Sequence, residues 1–140
     1  MLTELLQALG ITGKYLFTRS VTVRYPEERR ESYPRTRWRH KLMRHEDGLE
    51  RCIGCSLCEA ACPARCIRVV AEENTDEARY SPGERYAKEY EINMIRCIFC
   101  GLCQEACPVE AIVLREDFEL ADYERDSFRY TKDRLLEPER

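Results

Sequence analysis

Two cysteine runs of identical spacing constrain this sequence more than any other feature. Residues 51–63 read RCIGCSLCEAACP and residues 96–108 read RCIFCGLCQEACP, so each run has the pattern Cys-x2-Cys-x2-Cys-x3-Cys-Pro. Nine of the 13 positions are identical, and the offset between the runs is 45 residues. A repeat this close indicates a duplicated half-domain, with its two copies packed as a pseudo-twofold pair.

This spacing is typical of proteins that bind iron–sulfur clusters. A [4Fe–4S] cluster takes four cysteine thiolates, and in two-cluster ferredoxins the fourth cysteine of each run ligates the cluster of the other run. We therefore predict two [4Fe–4S] clusters held across the repeat. The predicted ligands are Cys52, Cys55, Cys58 and Cys107 for cluster 1, and Cys97, Cys100, Cys103 and Cys62 for cluster 2.

Zinc and disulfides explain the cysteines less well. Structural zinc favours two separate Cys-x2-Cys pairs per ion, whereas each run here offers three ligands at x2 spacing and a fourth before proline. A secreted disulfide scaffold is expected to carry a signal peptide and an even number of cysteines. This chain has nine cysteines, and its N-terminus lacks the signal-peptide pattern. We expect the mature chain to begin at or near Met1, in a reducing compartment.

Four residues outside the ligand sets also carry an interpretation. Cys66 aligns with an alanine in the second repeat, which favours a small buried hydrophobe over a redox role. His40 and His45 lie in a basic segment without a second ligand motif, so we interpret them as surface or interface residues. We interpret Trp38, which lies among basic residues, as an interface anchor or as part of a solvated charged stretch, rather than as a contact to nucleic acid.

The sequence divides into three predicted parts. Residues 1–45 predict an amphipathic helix followed by a basic extended docking arm. Residues 46–114 predict the cluster domain, with repeats at about 46–71 and 91–114 joined by an inserted loop, and residues 115–140 predict an acidic, aromatic C-terminal tail. The helix is indicated by leucines at the i, i+3, i+4 and i+7 spacing, namely Leu2, Leu5, Leu6 and Leu9.

Local patterns predict an α+β fold of ferredoxin-like type. The β-branched runs at 67–70 and 112–114, together with residues 90–94, predict short strands. Proline suits the first position of a helix, so Pro63 and Pro108 each predict a short helical turn after the fourth cysteine. No stretch approaches the roughly 18 apolar residues of a membrane span, and no Gly-rich dinucleotide fingerprint is present. We therefore predict no catalytic residues in this chain.

The segments that flank the cysteine runs carry a more specific resemblance. With those runs, they make the sequence similar to the subunit I family of the proton-pumping NADH:quinone oxidoreductase, respiratory complex I. The resemblance rests on KYLF at 14–17, VTVRYP at 21–26, RHKLMRHEDGLERCIGCSLC at 39–58, GERYAKEYEINMIRCIFCGLC at 83–103 and DFELADY at 117–123. It covers nearly the whole chain.

This resemblance implies an electron-transfer subunit of a translocase. Its two clusters would pass electrons, one at a time, from upstream clusters toward a terminal cluster in a neighbouring subunit that reduces quinone, such as ubiquinone. The implied partners are subunits of the peripheral and membrane arms, with quinone reached only indirectly and no nucleic acid. The implied location is peripheral, on the cytoplasmic side of a bacterial cell membrane, with the N-terminal helix at the membrane surface. The alternatives are a ferredoxin-like subunit of a membrane hydrogenase-type complex and a free soluble ferredoxin.

Overall fold

The computed structural model describes residues 2–136 and 138, which form two units that divide between Glu31 and Ser32. In the first unit, helix α1 spans Leu2–Leu16 and confirms the predicted helix. The helix continues through its two glycines, and none of its residues is buried. Among the described residues, no helix has both the length and the apolar character that crossing a membrane requires.

The second unit contains two antiparallel sheets that confirm the predicted α+β class. Strand β1 (His40–Leu42) pairs with β4 (Ile112–Leu114) in a two-stranded sheet. Strand β3 (Arg85–Asn93) lies between β2 (Ile67–Glu73) and β5 (Arg129–Thr131) in a three-stranded sheet. The three strands expected from the sequence are therefore present, and β2 and β3 extend further than the apolar pattern alone indicated.

The hydrogen-bonded strand pairs β1–β4 and β2–β3, hereafter the ladders, each join one half of the repeat to the other. β1 precedes the first cysteine run and pairs with β4, which follows the second run. β3 precedes the second run and pairs with β2, which follows the first run. Alternate side chains of a strand share one face, and Tyr90 and Ile92 of β3 are accordingly buried together. The two halves are thus hydrogen-bonded to each other rather than folded side by side.

One short helix lies within each cysteine run. Helices α2 (Leu57–Ala60) and α3 (Leu102–Glu105) are single turns that carry the third cysteine. The prediction that a helical turn begins at the proline after the fourth cysteine was wrong, because the helical turn comes before that cysteine. After the proline the chain makes a non-helical turn through Arg65 or Glu110, whose φ angles are 46° and 49°. A left-handed residue there ends any helix and directs the chain into β2 or β4.

The C-terminal segment contributes to the core of the second unit. After a 3₁₀ turn at Asp126–Phe128, β5 leads into helix α4 (Lys132–Leu135). Tyr130 and Leu135 are 2% and 1% exposed. Complete burial of one leucine side chain contributes about 1.5–3 kcal/mol, so this segment stabilises the fold.

Candidate iron–sulfur centre

Two apolar cavities lie inside the second unit, and cysteines line both of them, four at the first and five at the second. The first, hereafter site 1, is lined by Cys52, Cys55, Cys58 and Cys107. The second, hereafter site 2, is lined by the predicted set Cys97, Cys100, Cys103 and Cys62, and also by Cys66. The structure therefore brings the fourth cysteine of each run to the three cysteines of the other run.

The backbone of each run takes the same left-handed turns between its cysteines. Gly54 and Phe99 occupy equivalent positions, with φ angles of 64° and 53°. Ser56 and Gly101 form the second equivalent pair, at 59° and 81°. Successive turns of this kind direct backbone N–H groups toward a common point and favour a bound anion.

Some of these amides already contact cysteine sulfur. The Phe99 N–H donates to Cys97 Sγ at 3.4 Å, and the Ala111 N–H donates to Cys107 Sγ at 3.2 Å. Such donors stabilise a negatively charged thiolate, which is the form that binds metal. Both sites thus have backbone groups suited to an anionic cluster.

Burial controls the protonation of several thiols. The pKa of Cys52 is raised to about 11 and that of Cys103 to about 12, and desolvation by burial is the largest cause of both shifts. Neighbouring thiolates raise the pKa of each further. All nine cysteines are free of disulfides. At neutral pH the thiols of Cys52 and Cys103 would remain protonated unless a positive charge replaced their protons. Metal binding to cysteine releases those protons, and iron supplies the required charge.

The donor set fits a four-iron cluster. A [4Fe–4S] cluster requires four thiolate ligands, and the apolar walls supply four thiol groups at site 1 and five, with Cys66 as the fifth, at site 2. Among the residues described, no three His, Cys, Asp or Glu side chains lie together as a site for a single metal ion. The apolar lining would also limit the access of water to a bound cluster. The lining includes Leu42, Ile53, Val69 and Ile112 at site 1, and Ile67 and Ile98 at site 2.

Sequence reasoning missed two residues beside the cysteines. Tyr90 is 2% exposed, and its hydroxyl lies 3.1 Å from Cys58 Sγ. His40, predicted at a surface or interface, is also 2% exposed, and its Nε2 atom lies 3.9 Å from Cys97 Sγ. The surface prediction was therefore wrong for His40, because β1 directs its side chain toward the core. The pattern of strands around the repeat, rather than a ligand motif, could have identified these residues.

The ninth cysteine adds a contact at site 2. Cys66 is buried, as predicted for a small hydrophobe, and its Sγ lies 3.4 Å from Cys62 Sγ. A hydrogen bond from the Cys66 thiol, together with a smaller effect of His40, lowers the pKa of Cys97. Site 2 therefore has side-chain donors to two of its four predicted ligand sulfurs.

Residues of the predicted docking arm lie beside site 2. The guanidinium of Arg37 donates to the Cys100 carbonyl at 2.6 Å and pairs with Glu105 of α3 at 2.9 Å. Trp38 packs on Phe99, with ring centroids 6.1 Å apart, and remains 39% exposed. This part of the arm thus packs on the loop that carries Cys97 and Cys100 of site 2.

The crossed ladders and the paired cysteine-lined sites define a two-cluster, ferredoxin-like electron-transfer protein. In agreement, the model of the 4Fe-4S dicluster domain family matches residues 51–111. The chain is 61% identical over 135 residues to proteins of two Thermus thermophilus strains, named NADH-quinone oxidoreductase subunit 9 and subunit I. Each match covers 96% of this chain and 74% of the relative. The chain belongs to the NADH-quinone oxidoreductase subunit I family, and its cofactors are two [4Fe–4S] clusters.

A solved structure with a similar fold comes from another respiratory assembly. It is the membrane-bound sulfane sulfur reductase, an archaeal respiratory membrane complex, and the TM-score is 0.56 at 33% identity. The match covers 83% of this chain, which spans 55% of the length of the chain it matches. The family resemblance inferred from the flanking segments is confirmed by the subunit I relatives.

Proposed function

We propose that this chain relays electrons, one at a time, through its two clusters toward a terminal cluster that reduces quinone in an NADH:quinone oxidoreductase. When bound, each [4Fe–4S] cluster accepts and releases one electron. The observation that carries the proposal is the pair of cysteine-lined cavities inside one small, hydrogen-bonded unit. Because electron tunnelling falls steeply with distance, a relay needs cofactor sites that are held rigidly, and the crossed ladders supply that rigidity.

The proposed ligands are the crossed sets predicted from the sequence. Cys52, Cys55, Cys58 and Cys107 would hold cluster 1, and Cys97, Cys100, Cys103 and Cys62 would hold cluster 2. The shared cavity of each set supports this assignment. The left-handed turns and the amide contacts to sulfur support anionic clusters at both places.

The fourth cysteines test the crossing most directly. In the full chain reconstituted with iron and sulfide, Cys107→Ser should perturb the EPR signal of the cluster held by Cys52, Cys55 and Cys58. The matched variant Cys62→Ser should perturb the other signal. Each signal is assigned beforehand with variants of the first three cysteines of each run.

Two results would contradict these assignments. If Cys107→Ser altered only the cluster of its own run, the ligand sets would not be crossed. If the wild-type chain took up stoichiometric zinc, rather than about eight iron and eight sulfide for two four-iron clusters, the iron–sulfur function itself would fail.

We propose a peripheral position on the cytoplasmic side of a membrane, and the exposed leucines of helix α1 support the contact with the membrane surface. Its leucines are largely exposed although they share an amphipathic spacing. An amphipathic helix of this kind can lie in the interface with its apolar side in the lipid. The exposed fractions are 74% for Leu2, 65% for Leu5, 61% for Leu6 and 69% for Leu9.

Vesicle binding tests this contact. The full chain should sediment with phospholipid vesicles, and the double variant Leu5→Ser, Leu9→Ser should lose most of that binding while both cluster signals remain. A matched double variant at exposed positions of the other unit, Leu57→Ser and Leu102→Ser, should retain it. Equal sedimentation of the wild-type chain and the α1 variant would exclude α1 as the membrane contact.

A second membrane assembly is the alternative partner. The likeness to a chain of an archaeal sulfane sulfur reductase, a respiratory membrane complex, favours a ferredoxin-like subunit of another membrane complex as the second candidate. Purification of the native protein from membranes distinguishes the two candidates. Co-purification with NADH:quinone reductase activity supports the first, and a soluble monomer that never accompanies this activity excludes it.

A further inference from the structure

The two ladders assign His40 and Tyr90 to equivalent positions in the two halves. Ile67 of β2 and Ile112 of β4 are related by the 45-residue offset of the repeat. Two residues further along those strands, Val69 and Leu114 are again related by this offset. At the first pair of equivalent positions, Ile67 pairs with Ile92 and Ile112 pairs with Leu42. At the second, Val69 pairs with Tyr90 and Leu114 pairs with His40. The pseudo-twofold relation that superposes the cysteine runs therefore also relates Tyr90 to His40.

Tyr90 contacts the sulfur of a proposed ligand of cluster 1. Its hydroxyl lies 3.1 Å from Cys58 Sγ, and both side chains are buried. A tyrosine hydroxyl is protonated at neutral pH, whereas a cysteine that binds metal is a thiolate. The hydroxyl must therefore donate the hydrogen bond, and the sulfur must accept it.

His40 has the equivalent strand position beside cluster 2, but it lies next to the first cysteine of the second run, whereas Tyr90 contacts the third cysteine of the first run. The Nε2 atom of His40 lies 3.9 Å from Cys97 Sγ, and the side chain is buried against Phe99 with ring centroids 5.8 Å apart. Within residues 2–136 and 138, Nδ1 of His40 is buried without a hydrogen-bond partner. A buried N–H without an acceptor is unfavourable, so the neutral ring is expected to carry its proton on Nε2, directed at the sulfur.

We propose that Tyr90 and His40 are the paired positioning residues that set the reduction potentials of cluster 1 and cluster 2 separately. Hydrogen bonds to ligand sulfur favour the more negative, reduced state and raise the potential of an iron–sulfur cluster. The short contact from Tyr90 gives cluster 1 the stronger side-chain donor. The longer contact from His40 gives cluster 2 a weaker one. Different residues at one pseudo-symmetric position thus make the two clusters unequal.

This inference rests on the proposed binding of clusters by Cys58 and Cys97, but it does not depend on the crossing of the fourth ligands. The test is an EPR-monitored redox titration of the reconstituted full chain. Tyr90→Phe should lower the potential of cluster 1 alone, by up to about a tenfold change in the reduction equilibrium, or about 59 mV for one electron. His40→Leu should lower the potential of cluster 2 alone, by a smaller amount.

Conservative and distant variants separate this role from a general effect on folding. His40→Gln keeps an N–H donor and should restore much of the cluster 2 potential. His45→Leu changes an exposed histidine of the same segment and should leave both potentials unchanged. Pulsed EPR in D₂O should show an exchangeable deuteron coupled to cluster 1 in the wild type, and that coupling should be weaker in Tyr90→Phe.

The outcomes distinguish this inference from the proposed function. If both signals are present and Tyr90→Phe and His40→Leu leave both potentials unchanged, the tuning role is excluded while cluster binding stands. Equal shifts of both clusters by either variant would also overturn it. If His40→Leu fails to fold, Tyr90→Phe and His40→Gln still decide the result. A wild-type chain that shows neither signal would instead contradict the proposed function.

Discussion

The second unit, hereafter the cluster unit, has two halves that share cysteine spacing, backbone turns and strand register. Different parts of the chain pack against each half. The first half is held by the C-terminal segment, where Lys132 of α4 pairs with Glu50 at 2.8 Å. The second half is covered by the N-terminal side of the unit, where Arg37 pairs with Glu105 at 2.9 Å. Lys132 and Glu50 are 15% and 8% exposed, whereas Arg37 and Glu105 are 52% and 58% exposed. A duplicated core can therefore acquire unequal support without changing its ligand pattern.

The largest expected effect comes from removing one partner of the buried ion pair. Lys132→Ala leaves the Glu50 carboxylate buried without its counter-charge, and it also removes a 2.7 Å hydrogen bond to the Ala87 carbonyl. Breaking a buried pair from one side typically destabilises a protein by about 3–5 kcal/mol. At this chain length, that change should lower the apparent melting temperature by about 10 °C, as followed by cluster absorbance at one scan rate.

Arg37→Ala is the matched variant in the other half. Exposed ion pairs contribute about 0–1 kcal/mol, so its melting temperature should lie within a few degrees of the wild type. If Lys132→Ala and Arg37→Ala lowered the melting temperature equally, the burial of the ion pair would not distinguish the two halves. The double variant Lys132→Met, Glu50→Leu should recover part of the loss, because no unpaired charge then remains.

A smaller difference is expected between the two glycines that line the cysteine loops. Gly54 and Gly101 both have positive φ, so alanine at either position adds about 1–2 kcal/mol of backbone strain. At Gly54 a new Cβ would lie 2.8 Å from the backbone oxygen of Tyr86, which belongs to a sheet strand. At Gly101 it would lie 2.9 Å from the side chain of Arg37, which can move.

Gly54→Ala should therefore reduce cluster retention more than Gly101→Ala. The measurement is the half-life of cluster absorbance at a fixed elevated temperature, with iron content determined before heating. The reverse order would show that the Arg37 contact, rather than the sheet backbone, limits the packing of these loops. The double variant Gly101→Ala, Arg37→Ala should retain its cluster absorbance longer than Gly101→Ala alone, because only the backbone strain from the positive φ then remains.

The smallest expected effect is at Cys66. Cys66→Ala introduces the residue that the second half has at the equivalent position, Ala111, and removes a thiol that contacts Cys62 and donates to Cys97. Both cluster signals should remain, with iron content near that of the wild type. Loss of the cluster 2 signal would instead identify Cys66 as necessary for that site and would break the equivalence of the two halves.

Much of this architecture could be predicted because the cysteine spacing is a local signal. The runs specify three ligands each, and the β-branched residues after them specify strands such as β4. The offset of the repeat also predicted that the halves would pack as a pair. Loop turns were harder to predict, since the left-handed conformation of Arg65 and Glu110 is not indicated by residue types that favour it.

Contacts between distant segments were the other source of error. His40 was placed at a surface because its neighbours are basic, but pairing of β1 with β4 buries it. The segment after residue 114 was interpreted as a tail because it is acidic, yet Tyr130 and Leu135 are buried. In both cases local composition is polar, and the burial arises from strand pairing that only the complete fold creates.

The pairing of β1 with β4 has a consequence for how the protein is made. β1 precedes the first cysteine run and β4 follows the second, so their ladder cannot form until both repeats have left the ribosome. Under the proposed ligand set, the first three cysteines of site 1 are synthesised long before Cys107, and the site stays open during that interval. Cluster 1 can then be inserted only after both repeats have been translated. A bound cluster 1 therefore indicates that both repeats are complete.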